Sequence, residues 1–138
     1  MQLGASLPVG DIGTAPSPLR DYAQAAEGLG FTYMLAPDHV LGGNPNVDYG
    51  GRRVGTTATA YHDPFVVFAF LAGVTKNMGF ASGVVILAQR QAALVAKQAA
   101  CLDELCEGRF RLGIGVGWNE IEFQGLGMDF HTRGKRSA

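Results

Sequence analysis

Charge of either sign is scarce in this chain, and cysteine is scarcer still. Of 138 residues, 11 are Lys or Arg and 12 are Asp or Glu, leaving a formal net charge of −1. Nucleic-acid binders usually carry a basic stripe or patch, so the near-neutral charge argues against that class. The short basic clusters at Arg109 and Arg111, and at Arg133, Lys135 and Arg136, read as solvated element ends. No apolar run approaches the ~20 residues that a membrane helix needs. Met1-Gln-Leu-Gly lacks the basic lead and apolar stretch of a signal peptide. The expectation is a cytoplasmic protein with neither a membrane nor a nucleic-acid partner. The two cysteines, Cys101 and Cys106, fall on different faces of a predicted helix, which argues against a metal pair or a disulfide. Gly-x-Ser-x-Gly elbows, Walker loops and zinc spacings are all missing, so hydrolase, NTPase and metalloenzyme readings have no support.

What the chain does contain is an alternation of strand and helix signals. Gln2 to Leu7 is a short apolar run closed by Pro8. Ser17-Pro18 reads as a helix start, with Ser17 as cap, and Leu19, Tyr22, Ala23, Ala26 and Leu29 keep helical spacing until Gly30. Phe31 to Leu35 is the second strand. Asp63-Pro64 opens the next helix, Gly79 to Leu87 is a continuous apolar strand, and Gln91 to Cys106 is a helix that Gly108 ends. Phe110 to Val116 is the fourth strand, followed by a helix from Asn119 to about Leu126. Residues 41 to 61 have no usable period, and a loop of that length is usually a functional loop or lid. Four such units predict an α/β fold with a parallel sheet, either doubly wound or a barrel.

In parallel α/β folds, chemistry gathers at the C-terminal ends of strands. The most polar of these ends is Asp38-His39. A histidine there can donate to an anionic oxygen or relay a proton near neutral pH, and Asp38 could hold its tautomer or cap the next segment. Gly113, Gly115 and Gly117 alternate before Trp118 and Asn119, but their spacing departs from the dinucleotide fingerprint. Such glycines allow either close approach of a flat ligand or tight strand packing. His62 beside Asp63 reads as a local helix-start pair.

Several segments, taken together and in order, resemble a known family. They are Leu-Gly-Ala-Ser-Leu-Pro (3–8), Ala-Ala-Glu-Gly-Leu-Gly-Phe (25–31), Ala-Pro-Asp-His-Val (36–40), Asp-Pro-Phe-Val (63–66) and Ala-Lys-Gln-Ala-Ala-Cys-Leu-Asp (96–103). The most specific is Gly-Arg-Phe-Arg-Leu-Gly-Ile-Gly-Val-Gly-Trp-Asn-Glu-Ile-Glu-Phe (108–123). The chain resembles the luciferase-like monooxygenase superfamily, in particular its coenzyme F-420-dependent branch. The resemblance implies a (β/α)8 TIM barrel with a deazaflavin, or alternatively FMN, across its C-terminal mouth. It implies that Asp38 and His39 face the ring, with His39 handling the proton. It further implies that a non-proline cis peptide at Gly83-Val84 supports the ring's back, and that Gly117, Trp118 and Asn119 lie near its pyrimidine edge. Trp118 stands where a sugar-phosphate-oxidising relative has an acidic residue, which argues against that substrate.

On this reading residues 1–138 are the N-terminal portion of such a domain, about the first four βα units of a partial barrel. The implied function is hydride transfer between F-420 and a small organic substrate. The alternatives are an FMN-dependent monooxygenase, or a non-catalytic partial barrel whose two open sheet edges pair with a second copy as a homodimer.

Overall fold

A computed structural model describes residues 1–44, 46–48 and 60–138. Among them the chain order is β1 (Gly4–Ser6), α1 (Pro16–Gly28), β2 (Tyr33–Ala36), α2 (Pro64–Ala72), β3 (Gly79–Ser82) and β4 (Val85–Ile86). A 3-10 turn (Leu87–Gln89) then leads to α3 (Ala92–Leu105), β5 (Phe110–Arg111), β6 (Ile114–Gly115), α4 (Glu120–Gly125) and α5 (Arg133–Arg136). Strands β1, β2, β3 and β5 form one parallel sheet in that order, and β4 and β6 form a second parallel pair. Since every pairing is parallel, all strands deliver their C-terminal ends to one edge.

The helix boundaries follow from local chemistry. Helix α1 starts two residues earlier than the Ser17 cap predicts, because Pro16 and Pro18 both fit a first turn that needs no N–H. Ala15, forced extended by the proline after it, is the N-cap and makes no side-chain cap bond. At the other end Gly30, at φ 88°, lets Phe31 N–H reach Ala26 O at 3.1 Å and Gly30 N–H reach Glu27 O at 3.0 Å. Helix α2 has the predicted cap. Asp63 Oδ1 accepts from Phe65 N at 2.9 Å and Val66 N at 3.2 Å, with Pro64 in the first turn. At the end of α3 both Glu107, at φ 56°, and Gly108, at φ 78°, lie in the left-handed region, and Gly108 N–H closes the helix on Asp103 O at 2.8 Å.

Two strands read as continuous are each split. The predicted run from Gly79 to Leu87 divides after Ser82, and the run from Phe110 to Val116 divides after Arg111. The two breaks face each other. Ser82 Oγ donates to Gly113 O and accepts from Gly113 N, both at 2.9 Å, so a side chain takes the place of a ladder bond. The Gly83–Val84 peptide is cis, as the family resemblance implied. Val85 N–H then bonds Gly113 O at 2.8 Å and pairing resumes.

Helices α1, α2 and α3 pack on one face of the four-stranded sheet. Ala5, Met34, Ala36 and Phe80 from the strands pack with Leu19, Ala23, Phe65, Phe68, Leu71, Val95 and Leu102 in one buried cluster. On the other face Leu35 is 42% exposed and Val84 38%. The basic clusters do more than solvate element ends. Arg109 Nη1 donates to Met78 O at 2.6 Å, Arg111 lies 4.1 Å over the Tyr33 ring, and Arg133 Nε donates to Gly117 O at 3.1 Å. Both cysteines are free thiols, Cys106 buried and Cys101 half-buried. Among the described residues no helix is long and apolar enough to cross a membrane.

Candidate functional site

The polar residues after β2 diverge. Asp38, 1% exposed at its side chain, turns inward and meets the Arg90 guanidinium as a fork. Arg90 Nη2 donates to Oδ1 at 2.6 Å and Nε to Oδ2 at 3.1 Å. Ile86 N–H also donates to Oδ2, at 3.1 Å, and a second Arg90 bond from Nη2 reaches Asp63 Oδ2 at 3.0 Å. One guanidinium thereby ties the end of β2 to the cap of α2. Asp38 does not hold the imidazole tautomer, as one sequence reading had it, because its oxygens are taken by a buried cation and a backbone N–H.

The partner of the imidazole is Glu122, which the sequence reading assigned no role. His39 Nδ1 lies 3.2 Å from Glu122 Oε2 and 3.3 Å from Oε1. Oε1 also accepts from Val40 N at 3.0 Å and Leu41 N at 3.3 Å. The side chain of His39 is 24% exposed and that of Glu122 2%. Helical spacing places Asn119, Glu122, Phe123 and Leu126 on one face of α4. Asn119, Glu122 and Phe123 are all buried, so an acid sharing a face with Phe123 was the available sequence signal.

The charges tune each other. The Glu122 hydrogen bond raises the His39 pKa, partial burial opposes it, and the negative charges of Glu122 and Asp38 add to the rise. Burial pushes the Glu122 carboxyl up, but bonds from His39, Leu41 and Val40 outweigh it and leave the group below its ordinary range. A raised histidine stabilises the fold fully below its unfolded pKa of about 6.5 and loses that contribution as pH climbs through the folded value. A lowered carboxyl contributes above its unfolded pKa of about 4.5 and loses the contribution as pH falls through the folded value. The pair is therefore fully stabilising between about pH 4.5 and 6.5. The gap in urea midpoint between the parent chain and Glu122→Gln is expected to peak in that window. A gap that stays constant from acid to alkaline pH would contradict the pairing.

Around the imidazole stand two aromatic rings. Tyr61 is 4.9 Å away between centroids, tilted 50°, and Trp118 is 6.4 Å away, edge-on. Tyr61 closes the 41–61 segment, so that end of the loop lies beside His39; residues 45 and 49–59 are outside the described residues. Trp118 is 46% exposed, whereas Asn119 is buried as the N-cap of α4. His62 bonds Thr14 O at 3.2 Å, away from this cluster. The glycines of the fourth strand serve packing. A Cβ on Gly113 would collide with the Ser82 carbonyl oxygen, and one on Gly115 would come 2.5 Å from Val84 Cγ2. Gly117, at φ 77°, has room for no Cβ between Ile86 and Phe123. Among the described residues no group of three or more His, Cys, Asp and Glu could hold a metal ion.

A model of luciferase-like monooxygenases matches residues 2–138 of this sequence. The chain belongs to the luciferase-like monooxygenase family. An uncharacterized protein of Mycobacterium tuberculosis is 35% identical over 120 residues, covering 83% of this chain and 41% of that one. The chain thus spans less than half the length of that relative. Among solved structures, the FMN-bound oxygenating constituent of 3,6-diketocamphane monooxygenase from Pseudomonas putida superposes with a TM-score of 0.75 at 20% identity, over 99% of this chain and 38% of that one. The coenzyme F-420-dependent tetrahydromethanopterin reductase of Methanopyrus kandleri gives 0.66 at 22% identity, over 94% and 30%. These likenesses establish the fold as a partial (β/α)8 barrel.

Proposed function

We propose that this chain is the N-terminal portion of a luciferase-like TIM-barrel oxidoreductase, and that it passes a hydride between coenzyme F-420 and a small organic substrate. The observation that carries the reading is the clustering of His39, Trp118 and Tyr61 at the strand ends, next to an uncovered apolar sheet face. A flat tricyclic ring suits such a surface. Val84 and Leu35 offer apolar contact, Gly83 keeps the backbone low, and His39 offers one hydrogen-bonding edge. Gln89, at the end of the turn after β4, is 5% exposed, and among the described residues neither Nε2 nor Oε1 has a hydrogen-bond partner. A buried amide of this kind calls for a polar group to meet it. On this reading His39, Gly83, Val84, Gly117 and Trp118 hold the ring, while Asp38 and Asn119 act from behind it by fixing the strand ends. The deazaflavin would supply a carbon that accepts or gives hydride. The chain's own part is to orient the ring, exclude water and manage a proton at His39.

FMN with oxygen is the second reading, favoured by the FMN-bound neighbour of the same fold. Titrating the 138-residue chain with F-420 and with FMN, by fluorescence quenching, separates them. Barrels of this type often anchor phosphate with loops after the seventh and eighth strands, and those lie beyond the four units present here. Three lost charged bonds at ~1.5–3 kcal/mol each weaken binding by roughly three orders of magnitude or more. Binding is therefore expected at micromolar affinity or weaker, with one coenzyme preferred and with His39→Ala weaker again. Equal affinity of parent and His39→Ala would remove His39 from the site, and submicromolar binding would show the anchor is misplaced.

A further inference from the structure

We propose that Glu122 is a positioning residue: by holding Nδ1 of His39 it confines proton exchange at that histidine to Nε2, the nitrogen left for the barrel mouth. The proposal rests on the reading that His39 belongs to the site, and it names a residue that no sequence motif assigned a role.

Geometry carries it. Both carboxylate oxygens lie within 3.3 Å of Nδ1, and the carboxylate accepts, so Nδ1 bears the hydrogen. Neutral His39 then has a bare Nε2 that can take a proton; protonated His39 has an Nε2–H that can donate one. The transfer is balanced at one atom, since a proton gained at Nε2 leaves the Nδ1–H bond to Glu122 intact. The carboxylate cannot swing away freely, because Val40 and Leu41 N–H groups hold Oε1 and the side chain is 2% exposed. The groups facing the ring are Glu122 from α4, Tyr61 ahead of α2 and Trp118 ahead of α4. Asp38, next in the chain, is bound to Arg90 and cannot compete for Nδ1. Among the described residues Nε2 of His39 makes no hydrogen bond, which keeps that nitrogen available.

The test is a long-range proton–nitrogen NMR titration of the histidine rings in the intact 138-residue chain. A His39→Ala variant assigns the His39 signals against those of His62 and His131. In the parent, neutral His39 should be in the Nδ1–H form, the reverse of the form free imidazole side chains prefer, and should titrate above the ordinary histidine value. In Glu122→Gln the amide can donate to Nδ1, so the neutral form should switch to Nε2–H and the midpoint should fall. Glu122→Asp should restore part of the parent behaviour. A parent His39 in the Nε2–H form overturns the proposal without any variant having to fold. So does a Glu122→Gln chain whose His39 keeps both midpoint and tautomer. Coenzyme is absent from this measurement, so failure of the coenzyme titration and failure of this pairing are separate results.

Discussion

Replacing Asp38 with alanine is expected to cost about 3–5 kcal/mol, the range for removing one partner of a buried ion pair. The Arg90 side chain is 15% exposed and would lose two of its three carboxylate bonds, keeping only Asp63. Ile86 N–H would be orphaned at the same time, at the strand that follows the kink. Small domains hold only about 5–15 kcal/mol in total, so much of the fold's reserve would disappear. Urea unfolding followed by the fluorescence of the sole tryptophan, Trp118, reads this directly. Asp38→Asn should fall between parent and alanine, since it can accept one bond but carries no charge. A loss below ~1 kcal/mol, typical of exposed pairs, would mean that the Asp38–Arg90 pair is hydrated and not structural.

Gly113→Ala is expected to be nearly as damaging, at about 2–4 kcal/mol. The added methyl would overlap the Ser82 carbonyl oxygen, which is backbone and cannot rotate away. Separating the strands to relieve it breaks the two Ser82 Oγ–Gly113 bonds and the Val85 N–H bond to Gly113 O. Gly127→Ala, where a Cβ meets nothing within 4 Å, controls for the loss of a glycine. It carries its own conformational penalty at φ 68°, which should stay near 1 kcal/mol. Equal urea midpoints for the two variants would show that the strand crossing at Gly113 is looser than described.

Much of this architecture could be read locally. Asp63-Pro64 and Gly30 mark helix ends because cap and left-handed positions select those residue types, and apolar alternation with helices marks a parallel sheet. The kink across Ser82 and Gly113 could not be read, because a serine in an apolar run looks like any small buried residue. Its meaning lies in a partner 31 positions away. The His39–Glu122 contact spans 83 positions, and nothing in the flanking pattern of either residue names the other. Asp38 and His39 stand out in the sequence as polar residues at a strand end, but adjacent residues on an extended chain point to opposite sides. One therefore went to the buried Arg90 and the other to Glu122.

The two clamps have an evolutionary corollary. Glu122 pins the backbone at Val40 and Leu41, and Arg90 pins Asp63, so the stretch of chain between them leaves and returns at fixed points. Lengthening a closed loop is thermodynamically mild, about 0.6 kcal/mol for each doubling. Insertions, deletions and wholesale replacement between residues 42 and 60 can therefore accumulate at little cost to folding. Lineages carrying this scaffold are free to vary that stretch while His39 stays where it is.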